Sequence, residues 1–315
     1  MESQSAAHFD LVKEQNRKRI RNIMKENPGI DKSELAVLSG LTFPTVSSAI
    51  KDMLLSKEVI KMNEISKGGR PGAVYKINEN YRYIACAYIN AYTLYVRIYN
   101  VVGMQCEQMN YELTVSAKPS TLYKIFYEIK VKYPALSVIA FGIPGVVLDG
   151  IIQYLPIYPA LEEFNFVKYF DEKLQVHTFL ENDINAITLA EKYNYKNIAH
   201  IILNQGCIGS GIIINGQLIN GAHGNAGELE LLCNMRGSTV EILTQGIIAI
   251  TCVVDVEDIA ISGTELDDLM IKELNMKLEK RLSNRCIPKI HFIKNADELY
   301  YRGLLNIAME YCMEH

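Results

Sequence analysis

At 315 residues the chain has room for one large domain or two to three small ones. Its 49% hydrophobic and 22% charged residues, with 20 Gly and 9 Pro, describe a packed globular protein and exclude collagen-like or wholly disordered classes. The net charge of −4 is uneven: residues 1–80 hold 13 Lys and Arg against 10 Asp and Glu, a balance of +3, which leaves −7 for the remainder. A mildly basic head thus precedes an acidic body, a weak pointer to nucleic-acid contact by the head. Apolar runs such as 247–250 and 259–261 are far shorter than the roughly 18 residues that cross a bilayer. The opening MESQSAAHFD lacks the basic and apolar regions of a signal peptide, so the expectation is a cytoplasmic chain with no membrane partner. Seven cysteines (Cys86, Cys106, Cys207, Cys233, Cys252, Cys286 and Cys312) form no C-x-C or C-x-x-C pair, fit neither a disulfide framework nor a zinc cluster, and read as buried thiols.

In the head, Leu11, Val12, Ile20, Ile23 and Met24 among charges predict an amphipathic helix over Ala6–Lys25, closed by Asn27-Pro28-Gly29. Asp31 followed by Glu34 makes a capping box for a short helix, Ser33–Ser39, which Gly40 ends. Thr42 caps a third helix with Pro44 in its first turn; Val46, Ile50, Met53 and Leu54 share one face, and Thr45, Ser47, Ser48 and Lys51 the other. Strand-like stretches Val59–Ile65 and Ala73–Ile77 flank the basic, glycine-rich segment 66–72, with Lys67 and Arg70 at its tip. Two short helices around a glycine turn, then a Gly-Arg hairpin, form the pattern of a winged helix-turn-helix that places its second helix in the major groove and an arginine in an A·T-rich minor groove. The blander alternative is a three-helix protein-interaction module.

From Tyr81 the periodicity changes. Three strands (Tyr83–Ile89, Leu94–Val101, Glu107–Val115) precede an alternation of helix Thr121–Lys132, strand Leu136–Phe141, helix Leu161–Leu174, strand Val176–Leu180, helix Asn185–Tyr193 and strand Ile198–Leu203. After a glycine-rich section come helix Val240–Val253, strand Asp258–Ser262, helix Glu265–Leu282, strand Lys289–Ile293 and helix Ala296–Tyr311. A motif of this kind occurring twice predicts a duplicated α/β fold with a cleft between its lobes. Three constellations fall where strands end. They are Gly142-Ile143-Pro144-Gly145, Glu181-Asn182-Asp183, and the glycine-rich run from Gly206 to Glu228. A carboxylate beside an amide at a strand end suits vicinal hydroxyls, or accepts a proton from one during phosphoryl transfer. The glycines allow a phosphate-cradling turn or merely a tight hairpin.

On GIPGVVLDG at 142–150, ENDINAITLAE at 181–191 and GSGIIINGQLINGAHGNAGE at 209–228, the body resembles the ROK family (repressors, open reading frames and kinases); TFPTVSSAIKDMLL and GGRPG resemble the winged helix of its repressor branch. The resemblance implies an α/β protein in which residues 1–80 form a DNA-binding winged helix-turn-helix and residues 81–315 a two-lobed actin-like (hexokinase-type, ribonuclease H-like) domain that binds an effector and dimerises. The lobes fall at roughly 81–183 and 184–300, with a C-terminal helix at 296–312. It implies DNA contacts from Thr42, Pro44, Thr45, Ser47, Ser48, Lys51, Lys67 and Arg70, and sugar contacts from Asn182, Asp183, Glu228, Gly145 and His223. Departures decide the branch. The first hairpin reads YIACAYINAYTLYVRIYN where family kinases carry an Asp-x-Gly-Gly-Thr phosphate loop; Cys207 stands where a second phosphate loop has glycine; Leu231 replaces a histidine; and Cys233 stands alone where a zinc knuckle is usual. The expectation is therefore a repressor of sugar-metabolism genes, dimeric on a double-stranded operator and responsive to a sugar or sugar phosphate, with no cofactor, metal or catalytic residue. Asp183 remains open between sugar ligand, helix N-cap and kinase base; Glu228 between ligand and solvated turn carboxylate; His223 between a replacement for the lost histidine and a structural residue. The alternatives are a DNA-binding dimer that no longer senses sugar, and a sugar kinase.

Overall fold

The computed structural model describes residues 2–62, 73–204, 207–234, 236–282, 287–294 and 296–314, with side chains from residue 11 onward. The head comprises α1 (Glu2–Glu26), β1 (Ile30–Asp31), α2 (Lys32–Ser39), α3 (Phe43–Leu55), β2 (Val59–Met62) and β3 (Val74–Ile77). The capping box forms as expected: Asp31 Oδ1 accepts from the amides of Ser33 and Glu34 at 2.7 and 2.9 Å, and Glu34 accepts from the Asp31 amide at 3.3 Å. Gly40 closes α2 in the left-handed conformation, and Thr42 caps α3, whose Val46, Ile50 and Met53 are buried. β3 pairs antiparallel with β1 and β2. The expected hairpin tip, with Lys67 and Arg70, lies outside the described residues, and β2 is described only to Met62.

The body holds two lobes. The first has β4 (Tyr83–Asn90), β5 (Thr93–Asn100), β6 (Gln105–Glu112), α4 (Pro119–Lys132), β7 (Leu136–Ile143), β8 (Val146–Leu148), β9 (Ile151–Tyr154), β10 (Phe164–Asn165), α5 (Phe166–Leu174), β11 (His177–Asn182) and α6 (Asp183–Leu189). The second has β12 (Ile198–Asn204), β13 (Cys207–Ile214), β14 (Gln217–Leu218), α7 (Thr239–Val253), β15 (Asp258–Ser262), α8 (Asp268–Arg281), β16 (Lys289–Phe292) and α9 (Asp297–Glu314). Their sheets run β6-β5-β4-β7-β11 and β14-β13-β12-β15-β16. In each, the first strand lies at the centre, pairs antiparallel with the second and parallel with the fourth, so the duplication read from the sequence is a topological one.

Several boundaries differ from expectation. The helix expected over Leu161–Leu174 divides into a 3₁₀ turn at Pro159–Leu161, β10 and α5, because Glu163 is left-handed (φ 58°), β10 pairs with β9, and Asn165 caps α5 by accepting from the Lys168 amide at 2.9 Å. The helix expected over Asn185–Tyr193 starts at Asp183, capped by Asn182, and ends at Leu189. There the amides of Ala190 and Glu191 bond three residues back and tighten the last turn. The helix expected over Glu265–Leu282 begins only at Asp268, capped by Asp267. Residues 146–154, to which the sequence pattern assigns no element, pair as the β8–β9 hairpin.

α9, last in the chain, returns to pack on β4 and β7 and crosses α6 so closely that a Cβ at Gly303 would run into the Ala186 carbonyl. Its far end meets the head. Ile20 and Met24 of α1 share one continuous core with Tyr99, Val101, Met309 and Met313. Arg21, only 6% exposed, sits at this junction: it pairs with buried Glu58, donates to Glu14 at 2.8 Å and to the Met313 carbonyl at 3.2 Å. Lys18 bonds Glu314 at 2.6 Å. Losing one member of a buried pair leaves the other charge uncompensated. Arg21→Met is expected to lower stability by about 3 kcal/mol or more, measured by urea denaturation; a change below about 0.5 kcal/mol would contradict this junction.

Candidate functional site

β7 and β11 run side by side, Glu181 opposite Gly142 and Asn182 opposite Ile143, so the GIPG turn and the Glu181-Asn182-Asp183 segment leave the sheet together. Asn182 joins them: its Nδ2 donates to the Gly145 carbonyl at 2.8 Å, and its Oδ1 accepts from the amides of Ile184 and Asn185 at 2.8 and 3.2 Å. Asp183 opens α6, its Oδ1 accepting from the Ile184 amide at 2.8 Å. Burial raises its carboxyl to about 7, and the nearby Glu228 adds to the rise. Burial likewise raises Glu181 to about 7 and pushes Glu228 up, with Glu230 contributing.

The glycine-rich segment supplies Glu228 by folding back on β13. The Ser210 amide and hydroxyl donate to the Gly227 carbonyl at 2.8 and 3.0 Å, which fixes the residue before Glu228. Asn185 of α6 donates to Asn220 at 3.4 Å, and Gly224 packs against Val147 of β8, tying the loop to the first lobe. Asn182, Asp183, Gly145 and Glu228 are thus gathered from both lobes, Gly145 through its hydrogen bond to Asn182 and Glu228 near enough to Asp183 to act on its charge. His223 is exposed on the loop, as is Leu231, 85% exposed where the family resemblance expects histidine.

In the head, Thr42, Pro44, Ser48 and Lys51 are exposed, whereas Thr45 and Ser47 are partly buried. The hydroxyls of Thr42 and Thr45 lie 2.9 Å apart, and Lys32 Nζ donates to Ser47 at 3.0 Å.

At the first hairpin, Ala91 and Tyr92 form a two-residue turn. The Ala91 carbonyl accepts from the Tyr158 hydroxyl at 2.8 Å and the Tyr92 carbonyl from the Leu113 amide at 2.7 Å, so the turn is clamped rather than open as a cradle. Beside it the strands carry Tyr88 and Tyr95, stacked at 5.1 Å, and Tyr88 stacks at 4.2 Å on Tyr300 of α9. Arg97 lies 3.8 Å over the Tyr301 ring and pairs with Glu298 at 2.6 Å, pinning the first turn of α9. In the sequence these tyrosines read only as strand-face residues. Only the absence of Asp and Gly from 83–100 hinted at this cluster, and nothing local pointed to Tyr300.

A profile of the ROK family matches residues 104–230. The chain carries a ROK family domain. Around it the likeness extends further: the xylose repressor of Staphylococcus xylosus is 29% identical over 239 residues, 70% of this chain and 61% of that protein. The chain spans about 60% of the length of the curated relatives it matches. A solved ROK family transcriptional regulator, a homologue of Escherichia coli Mlc, superposes with a TM-score of 0.73 at 15% identity over 96% of this chain and 98% of its own. A ROK hexokinase from Thermus thermophilus superposes with a TM-score of 0.60 at 15% identity, over 73% of this chain and 99% of its own. The ROK domain accordingly has the actin-like, hexokinase-type α/β fold with mixed sheets.

The buried carboxyls of the ROK domain predict a pH dependence. Asp183 ionises near 3.8 when unfolded but holds its proton to about 7 when folded, so between these values the folded state binds more protons and stability falls as pH rises. Asp183→Asn is expected to flatten the decline between pH 4 and 8 and to gain of order 2 kcal/mol on the wild type at pH 8, read from urea midpoints. Parallel curves would refute the burial of this carboxyl.

Proposed function

We propose that the chain is a DNA-binding transcriptional repressor of sugar-metabolism genes, with residues 1–80 as a winged helix-turn-helix and residues 81–315 as a dimerising domain that binds a sugar or sugar phosphate. The observation that carries the reading is the head: α2 ends at Gly40, Thr42 caps α3, and exposed Ser48 and Lys51 leave one face of α3 free for a groove. The solved regulator's likeness covers head and body together, and the relatives named as xylose repressors support the same class. In the body, Asp183 and Glu228 supply acceptors for sugar hydroxyls, while Asn182 holds the Gly145 turn in place.

The regulator does no phosphoryl transfer in this reading. The clamped Ala91–Tyr92 turn offers neither a carboxylate for a nucleotide's metal nor a run of free amides for its phosphates, and Tyr88 and Tyr95 fill the space beside it. Incubated with Mg²⁺-ATP and D-glucose, D-xylose or N-acetyl-D-glucosamine, the protein is expected to release no sugar phosphate; turnover of any of them would overturn this part.

DNA binding is tested by selecting duplexes from a random library with the full chain and titrating them by fluorescence anisotropy. An inverted repeat with half-sites one or two helical turns apart is expected. Lys51→Ala should weaken all duplexes alike and reduce the salt slope by about one, whereas Arg70→Ala should cost roughly 1–3 kcal/mol, most at A·T-rich flanks. Failure to enrich any duplex, or full affinity in both variants, would overturn the reading.

A further inference from the structure

Tyr300 is 7% exposed, and among the described residues its hydroxyl meets no hydrogen-bond partner. A buried hydroxyl without a partner is costly, and proteins that keep one usually have a use for it. The ring is held on two sides. Tyr88 stacks on it at 4.2 Å, and Gly142 leaves it room, because a Cβ there would overlap the ring. Gly142 is the penultimate residue of β7, where the GIPG turn begins, opposite Glu181 in the neighbouring strand. The hydroxyl therefore lies where that turn and the start of α6 meet, close enough to Asp183 that this carboxylate, after burial, pushes its ionisation well above the ordinary value. It stays a protonated donor at any physiological pH. The register of β7 and β11 thus brings an unpartnered donor and a buried carboxyl to the same turn, and a group that can bond both is one that gives and takes a hydrogen bond, which is the chemistry of an alcohol.

We propose that Tyr300 is a ligand-contacting residue of the effector site, its hydroxyl donating to a hydroxyl of a polyol whose proton is accepted by Asp183. The inference rests on the sugar-binding reading above and adds to it a residue from the last helix, outside the GIPG, END and glycine-rich segments. It also specifies the ligand. The position between Tyr300 and Asp183 takes an alcohol oxygen, which accepts from the tyrosine hydroxyl and bonds the carboxyl in either of its protonation states.

The test is isothermal titration calorimetry of D-xylose, D-glucose and N-acetyl-D-glucosamine into the full chain, Tyr300→Phe and Asp183→Asn, with melting curves of all three proteins without sugar. The expected result is that at least one sugar binds the wild type, that Asp183→Asn abolishes this binding, and that Tyr300→Phe weakens it about five-fold or more. Without sugar, Tyr300→Phe should melt no lower than the wild type, since the lost hydroxyl bonds nothing among the described residues. Binding that needs Asp183 but is unchanged in Tyr300→Phe overturns the inference and leaves the sugar site standing. Melting of sugar-free Tyr300→Phe several degrees below the wild type overturns it too, by revealing an internal partner. Failure of all three sugars to bind the wild type removes the sugar reading and the inference with it.

Discussion

The crossing of α6 and α9 governs everything the body can do. Helices approach at 8–10 Å when side chains separate them, and only a residue without a side chain lets backbones meet; Gly303 against the Ala186 carbonyl is such a contact. α6 brings Asp183 from the end of the first sheet and also packs on β12 and β13 of the second. α9 leaves the second lobe, lies on β4 and β7 of the first, and brings Tyr300. Any larger residue at 303 would part the two helices and with them the groups gathered at the site.

Much of this architecture is legible in the sequence because it is written locally. Asp31 and Glu34, Gly40, and Thr42 with Pro44 are capping signals read within four residues, and the helices of the head begin and end where these signals place them. The succession of strands and helices in the two lobes is read from their alternation, whereas the spatial order of the strands is not. Boundaries failed where a tertiary partner outranked periodicity: β10 exists because Phe164 finds Ile152 of β9, and α6 starts early because Asn182, expected as a ligand, is spent on capping the helix and holding Gly145. The convergence of Asp183 and Glu228 came from family motifs, whereas Tyr300 was invisible for a plain reason. It reaches the site from more than a hundred residues away, at the start of a helix whose tyrosines look like any buried stripe.

The aromatic cluster replaces an open turn by packed side chains at small structural cost. An open phosphate loop depends on glycines and unpaired amides, both of which weaken a hairpin when no nucleotide is bound. Here the turn is two residues long, its carbonyls are taken by Tyr158 and Leu113, and stacked tyrosines occupy the neighbouring space. The hairpin then contributes packing rather than an open turn.

The junction at Arg21 has a mechanical consequence. From Tyr300 to Met313 the helix axis advances roughly 20 Å, and no proline interrupts it. One end touches the tyrosine cluster and the other presents the Met313 carbonyl to Arg21 at the foot of the head. Such a rod neither stretches nor absorbs torque, so a tilt of about 5° pivoting at Gly303 would swing its far end by an ångström or more. Displacement of that size is comparable to the tolerance of a buried, multiply bonded guanidinium. The angle of one helix would then be legible as the orientation of the head, with no flexible tether required between them.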